Sequence, residues 1–347
     1  MAIDLGTEMT RVFLPGKGVV LEVPTLVAVR LNDGQVVAVG NEAKQMMGRT
    51  PEEIVSVRPV QKGRVSEFRW AATFIGFVLR QTVGVGLFNK PEVLVSVPAG
   101  MNQVEKKLMV EVFLESGAKV VHVVPRPLAG AVGARVPMAE PVGSLILDMG
   151  GGLTETSLLS MGNIISSKKI EFGGVDVTND LREFLERKYN LIVGFNAAEE
   201  LKMTIGSAKK LEEVKIENKK KMMEEGVIGL DKKGVWMEVA GRDELTGLPS
   251  KVRIYNYEVV EVIQRRMKKV GEMLGGIMKQ VPPELVTDVM EKGVVMMGGG
   301  SCLKYLPEYL TELIGIPCYL AEEPDKCVVE GSGRILENLE MFEYTLG

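Results

Sequence analysis

The chain has 347 residues, of which 46% are hydrophobic and 25% charged, a composition that excludes a disordered, collagen-like or wholly coiled-coil protein. Its length predicts about two domains, and its formal net charge of −4 gives no overall attraction for nucleic acid, so we expect no nucleic-acid partner. Three cysteines without paired spacing favour a reducing compartment, and no signal peptide or apolar run of ~20 residues occurs, so we expect a cytoplasmic protein.

The predicted elements begin with a strand, a turn and a second strand, over residues 2–14. The pattern recurs over residues 144–159, with Asp148 in the place of Asp4, which suggests two related halves. Strands and helices alternate in the rest of the chain, which predicts an α/β fold. We expect further strands at 92–98, 120–124 and 292–297, helices at 103–115, 179–189, 197–208 and 257–279, and a helix cap at Ser301.

Two local patterns exclude or weaken other kinds of site. The single histidine, His122, lies in an apolar run typical of a strand, so we interpret it as structural, and a metal site with several histidines is excluded. The charged stretch 209–226 mixes lysines with glutamates, which favours a solvated loop or hairpin over a nucleic-acid patch.

Glycine runs follow three of the predicted strands, at Gly6, 150–152 and 298–300. Backbone N–H groups in such runs can approach an anion without obstruction by a Cβ atom. Asp4 and Asp148 end the two repeated strands, and paired carboxylates at such places suit Mg²⁺ bound to substrate phosphates. The duplication therefore predicts a nucleotide cleft between the halves, although neither a P-loop nor a dinucleotide-binding glycine motif is present.

These segments resemble the MreB family of bacterial actin homologues, within the superfamily that also contains sugar kinases and chaperone ATPases. Residues 3–7 resemble its first phosphate loop, 148–155 its second, and 298–300 its adenosine loop. Matches that kinases and chaperones lack are spread along the chain. They are GRTP at 48–51, NLIVG at 190–194, IGSA at 205–208, GRDELTGLP at 241–249 and PPEL at 282–285.

The resemblance implies an actin-like α/β fold, with two duplicated ribonuclease-H-like halves that each carry a smaller inserted subdomain. The nucleotide cleft lies between the halves. The implied subdomains are IA at 1–28, 64–142 and 321–347, IB at 29–63, IIA at 143–178 and 246–320, and IIB at 179–245.

The resemblance also implies that ATP or ADP binds in the cleft with Mg²⁺, which Asp4 and Asp148 would hold mainly through water. Glu199 and Lys202 would flank the ribose and base, and their spacing of three residues independently places them on one helix face. The other implied nucleotide-binding residues are Gly6, Thr7, Glu8, Met9, Gly150, Gly151, Gly152, Gly298, Gly299 and Gly300.

Two positions depart from the family pattern. Arg126 stands where relatives have an acidic catalytic residue. Because a guanidinium cannot accept a proton, we expect slow or absent hydrolysis, with Glu155 the remaining candidate to position water. Arg126 would instead suit binding of the γ-phosphate, and an alternative is that another group or a rearranged loop preserves hydrolysis. Glu8 replaces a small neutral residue, and its charge opposes polyphosphate binding unless the side chain points away.

Leu87 and Phe88 lie in a glycine-containing connection, residues 84–91, between a predicted helix and a strand. Adjacent apolar side chains at this place resemble the membrane-inserting loop of MreB proteins. Burial of each is worth roughly 1.5–3 kcal/mol, which adds along a filament. The alternative is that Phe88 packs into the core.

The leading hypothesis is a nucleotide-binding protein that polymerises at the inner face of the cytoplasmic membrane and organises cell-wall synthesis and cell shape. Implied partners are further copies of the chain in paired protofilaments, the membrane surface, membrane proteins of cell elongation and other MreB paralogues. Arg126 leaves open a regulator that co-assembles with an active paralogue. A small-molecule kinase of the superfamily is a third hypothesis, but no catalytic base or sugar pocket is visible in the sequence.

Overall fold

The structure is a computed structural model that describes residues 1–51, 53–84, 90–211 and 228–342. Leu87, Phe88 and most of the charged stretch 209–226 lie outside the described residues. Within those ranges, every helix is too short or too polar to cross a membrane.

Strands and helices alternate along most of the described chain, as the sequence predicts. The strands are β1 Ala2–Leu5, β2 Met9–Leu14, β3 Gly18–Pro24, β4 Val27–Arg30, β5 Val36–Val39, β6 Ile54–Val57, β7 Val60–Gln61, β8 Arg64–Val65, β9 Glu92–Val97, β10 Val120–Pro125, β11 Ser144–Met149, β12 Thr154–Ser160, β13 Asn163–Ile170, β14 Leu191–Ile192, β15 Ile228–Asp231, β16 Gly234–Asp243, β17 Pro249–Tyr255, β18 Val294–Met297 and β19 Cys318–Leu320. The helices are α1 Asn41–Met46, α2 Phe68–Val83, α3 Gln103–Glu115, α4 Arg126–Gly133, α5 Gly174–Tyr189, α6 Phe195–Ile205, α7 Asn256–Met278, α8 Pro283–Lys292, α9 Leu306–Ile314, α10 Cys327–Glu337 and α11 Leu339–Phe342.

Two five-stranded mixed sheets form the centres of the two halves. The first has the order β10-β9-β1-β2-β3, and the second has the order β19-β18-β11-β12-β13. In each sheet the central strand, β1 or β11, pairs antiparallel with the next strand of the chain and parallel with a later one. The shared strand order confirms the two related halves that the repeated sequence pattern predicts.

A smaller sheet accompanies each half. Strands β5-β4-β6 form one, and β14-β16-β15, with β17 paired to β16, form the other. These sheets overlap the predicted inserted subdomains at 29–63 and 179–245. The subdomain boundaries stay a prediction, because strand pairing alone does not define them.

Helices α4 and α10 pack against each other where the two halves meet. Gly331 allows this approach, because a Cβ atom there would lie 1.7 Å from the carbonyl oxygen of Ala129. A hydrophobic cluster around this helix pair takes residues from both main sheets, including Ala2 and Ile146. The packing therefore fixes the start of α4, which is Arg126, at the junction between the halves.

Most predicted elements lie within about a turn of the observed ones, and α3 has the predicted bounds, 103–115. His122 lies on β10, where its Nε2 is 2.6 Å from Oε1 of Glu92 on the neighbouring strand. The predicted helix cap at Ser301 is wrong. The glycine run continues into a 3₁₀ turn, Gly299–Cys302, in which Ser301 Oγ donates to the Met297 carbonyl at 2.7 Å, and α9 begins later.

Candidate functional site

The two glycine loops of the repeat face each other across a cleft. One loop follows β1 and the other follows β11, so both stand at equivalent ends of the central strands. A Cβ atom on Gly152 would lie 2.9 Å from Cγ2 of Thr7, so the loops approach this closely only because glycine stands there. Facing loops of this kind can bring several backbone N–H groups to one anion.

A cavity of about 440 Å³ opens between these loops, a size typical of small-molecule sites. Residues from both halves line it, so the cavity belongs to their junction. Its lining includes every predicted nucleotide-binding, metal-binding and catalytic residue: Asp4, Gly6, Thr7, Glu8, Met9, Arg126, Asp148, Gly150, Gly151, Gly152, Glu155, Glu199, Lys202, Gly298, Gly299 and Gly300. The geometry brings these residues together, and their individual roles stay predictions.

Arg126 links the ends of the two central strands. Its Nη1 donates to Oδ1 of Asp4, and its Nε donates to Oδ2 of Asp148 at 3.0 Å. The side chains are only 14% exposed for Arg126 and 6% for each aspartate. Burial alone lowers the pKa of Arg126, but the charges of Asp4 and Asp148 outweigh burial and raise it overall. The guanidinium is therefore a fixed positive charge between the two carboxylates.

Glu155 lies on β12 directly opposite Asp148 on β11. Its Oε1 accepts a hydrogen bond from Ser167 Oγ at 3.2 Å. Burial first, and the charge of Asp148 second, raise its pKa to about 8, against the opposing charge of Arg126. Glu155 is therefore mostly protonated at neutral pH, which makes it a poor acceptor for a proton from water. Its role in positioning water stays a prediction.

The residues do not fit the predicted Mg²⁺ site in this arrangement. Asp4 and Asp148 each give an oxygen to the Arg126 guanidinium, so a Mg²⁺ ion held between them would lie beside a positive charge that repels it. The remaining oxygen of Asp148, Oδ1, is buried beside Gly298 and has no hydrogen-bond partner. Within the described ranges, no three His, Cys, Asp or Glu side chains form a group that could hold a metal ion.

The charge of Glu8 is paired with Arg58. Both Nε and Nη2 of Arg58 donate to Oε2 of Glu8, at 3.2 Å and 2.6 Å. The guanidinium carbon of Arg58 also lies 5.0 Å from the ring centroid of Phe195, which belongs to the other half. The pair reduces the repulsion that Glu8 would exert on a polyphosphate. Arg58 is not among the residues predicted from the sequence, where the only signal for it is the need of Glu8 for a partner.

Glu199 and Lys202 form an ion pair of 2.7 Å on α6, as their spacing predicts. Lys202 Nζ also donates to the Gly174 carbonyl at 2.8 Å and to Thr178 Oγ1 at 2.9 Å. Thr178 Oγ1 in turn donates to Glu199. These bonds hold α6 against the start of α5, so both side chains have fixed positions at the cavity wall.

Two basic residues from the first half reach across the cleft to Glu171 in the second half. Lys62 Nζ lies 3.3 Å from Glu171 Oε2, and Arg64 Nη1 lies 3.1 Å from Glu171 Oε1. The hydrogen bond from Lys62, and then the charge of Arg64, lower the pKa of Glu171. These contacts join the rims of the cleft, and none of the three residues was predicted from the sequence to lie there.

Comparison with known proteins gives one consistent family. A model of the MreB/Mbl protein family matches residues 1–344. The cell shape-determining protein Mbl of Bacillus cereus is 32% identical over 340 residues, which cover 98% of this chain and 96% of that protein.

Solved structures show the same fold. MreB5 of Spiroplasma citri bound to ADP matches with a TM-score of 0.88 and 26% identity, covering 99% of this chain and 97% of that one, and its AMPPNP-bound form gives the same values. The MamK double helical filament matches with a TM-score of 0.73 and 19% identity, covering 96% and 97% of the two chains. The predicted actin-like α/β fold is confirmed. The chain belongs to the MreB/Mbl family of actin-like proteins.

Proposed function

We propose that this chain binds ATP or ADP in the cleft between its halves and assembles with copies of itself into filaments that determine cell shape. The cavity between the paired glycine loops carries this proposal, because it joins the ends of equivalent strands from both halves. The match to MreB5 bound to ADP and AMPPNP supports a nucleotide as the ligand. The likeness to the MamK filament supports self-assembly through the shared fold.

The cavity suggests how the nucleotide lies. The phosphates would contact Gly6, Thr7 and the loop 150–152, where backbone N–H groups of a glycine loop favour anions. The ribose and base would lie toward Glu199 and Lys202, which α5 and α6 hold in place, and toward the run at 298–300. Glu8 would lie beside the phosphates without a net penalty, because Arg58 pairs with its charge.

Hydrolysis in this cleft would be slow. The guanidinium of Arg126 donates hydrogen bonds and cannot accept a proton from an attacking water. Glu155 is the nearest alternative base, but burial keeps it mostly protonated at neutral pH. Asp4 and Asp148 already accept from Arg126, which leaves them weak as bases. A small-molecule kinase would need a base at the same place and is disfavoured for the same reason.

Membrane attachment and the wider partners follow from the family resemblance. Leu87 and Phe88 would insert into the inner face of the cytoplasmic membrane, each contributing roughly 1.5–3 kcal/mol when buried. Because many subunits of a filament would contact the membrane together, their contributions to membrane binding would add. Filaments lying on the membrane would organise cell-wall synthesis through membrane proteins of cell elongation.

A second candidate is a regulator that co-assembles with an active MreB paralogue. Arg126 favours it, because a subunit that binds nucleotide without turnover would alter the lifetime of a mixed filament. Mixing the protein with a hydrolysing paralogue and sedimenting the polymer tests this candidate. Incorporation of the protein at a fixed ratio supports it, and separate filaments contradict it.

The proposed function is tested by negative-stain electron microscopy of the purified protein on a lipid monolayer, with and without ATP. We expect filaments on the lipid that require ATP or become longer with it. Absence of filaments under both conditions, at concentrations where a control MreB polymerises, contradicts self-assembly.

A further inference from the structure

The guanidinium of Arg126 occupies the place between two carboxylates where the sequence predicts a divalent cation. It contacts one oxygen of Asp4 and one oxygen of Asp148, which belong to different halves of the protein. Its position is well fixed, because it is the first residue of α4 and α4 packs tightly on α10. A positive charge at a helix N-terminus is disfavoured by the helix dipole, so the two aspartates stabilise it there.

The same guanidinium faces the cavity. In the described part of the chain its hydrogen bonds go to the two aspartates through Nε and Nη1, and an arginine has further N–H donors. Its side chain is 14% exposed and lines the cavity between the glycine loops. The free donors suit phosphate oxygens, because charge-assisted hydrogen bonds from a planar guanidinium to phosphate are strong and geometrically specific.

From this geometry we propose that Arg126 replaces the divalent cation, so that the chain binds a nucleotide without Mg²⁺ and contacts its phosphates directly through the guanidinium. The proposal rests on nucleotide binding as proposed above. A Mg²⁺ ion placed here would compete with the guanidinium for Asp4 and Asp148 and would repel it at close range. A tethered arginine also stays in the site after the nucleotide leaves, unlike a metal that leaves with it.

The test is a titration of the full chain with the fluorescent analogue N-methylanthraniloyl-ADP, in excess EDTA and in excess MgCl₂. For the wild-type chain we expect dissociation constants that agree within about twofold in the two buffers. Arg126→Glu removes the guanidinium and leaves carboxylates that require a cation. This variant should bind at least about tenfold more weakly in EDTA and recover in MgCl₂.

A matched control is Arg135→Glu, two residues after the C-terminal end of α4. Arg135 is 73% exposed and faces Glu322 at 3.8 Å, outside the cavity, so this variant should bind like the wild-type chain in both buffers. If Arg126→Glu does not fold, as judged by circular dichroism, Arg126→Gln replaces it. This variant also frees Asp4 and Asp148 from the guanidinium, so it should lose affinity in EDTA and recover in MgCl₂. Direct Mn²⁺ binding, followed by electron paramagnetic resonance, gives a second readout, in which Arg126→Glu retains Mn²⁺ and the wild-type chain does not.

The outcomes separate the two proposals. Tight binding by the wild-type chain in MgCl₂ but not in EDTA would overturn the replacement of the cation and leave nucleotide binding intact. Absence of binding in both buffers would overturn nucleotide binding, and the replacement with it. Equal binding in both buffers by the wild-type chain and by Arg126→Glu would also contradict a cationic role for Arg126.

Discussion

Replacing Arg126 with methionine should destabilise the protein, because it removes the positive charge between two buried aspartates. The side chains of Asp4 and Asp148 are each 6% exposed, and Arg126 is an ion-pair partner of both. Breaking a buried ion pair by removal of one partner costs about 3–5 kcal/mol. Methionine keeps much of the length and apolar volume of the side chain, so the loss of stability measures mainly the effect of the missing positive charge.

The expected change in melting temperature follows from the length of the chain. With 347 residues, the entropy of unfolding is about 0.7 kcal/mol per kelvin, so this loss corresponds to about 4–7 °C. The assay is calorimetric melting of the wild-type and variant chains in EDTA without nucleotide. Adding Asp148→Asn to Arg126→Met should recover part of the loss, because one of the two unpaired carboxylates is then neutral.

The control for this prediction is Arg135→Met, which removes an exposed arginine just after the same helix and should change the melting temperature by less than about 1.5 °C. A melting temperature for Arg126→Met within about 1 °C of the wild-type value would refute the reasoning. So would a double variant that is less stable than Arg126→Met alone.

Three further predictions concern other parts of the cleft and the connection between α2 and β9. The raised pKa of Glu155, about 8 against an ordinary 4.5, means that its contribution to stability is complete below pH 4.5 and is lost as pH rises to about 8. The melting temperature of Glu155→Gln should therefore fall less between pH 5 and 8 than that of the wild-type chain. The same fall in both chains contradicts the raised pKa of Glu155. Glu171→Ala removes both pairs at the cleft rim and should speed nucleotide release in stopped-flow experiments while lowering the free energy of unfolding by less than about 1 kcal/mol. Nucleotide release at the wild-type rate contradicts a role of these ion pairs in holding the cleft closed. Leu87→Ser combined with Phe88→Ser should abolish liposome flotation of filaments, and unchanged flotation refutes insertion of this segment.

Local sequence patterns were sufficient to predict much of the fold. Apolar strands that end at Gly6 and at the loop 150–152 repeat one strand–turn–strand pattern, which predicted two related halves. This worked because strand and turn preferences act over a few residues. The helix 103–115 has its predicted bounds, since Asn102 and Glu105 form a capping box at its start. The repeat grouped Asp4, Asp148 and the two glycine loops, because equivalent strand ends meet where the halves join. The family resemblance added Glu199 and Lys202.

The pairings within the site were not predictable in the same way. Arg126 is 122 positions from Asp4 and 22 from Asp148, and Arg58 is 50 positions from Glu8. These contacts depend on how α4 and the smaller sheet pack on the main sheets, which no local periodicity encodes. The sequence showed that Arg126 departs from the family pattern, but the structure was needed to place its charge between the two carboxylates.

The most direct test of this account is a crystal structure of the protein grown with ADP and MnCl₂, with anomalous scattering recorded for manganese. The account predicts a nucleotide in the cleft with its phosphates on the glycine loops and against Arg126, and no manganese peak between Asp4 and Asp148. A manganese peak between these carboxylates, with Arg126 displaced from them, would contradict it.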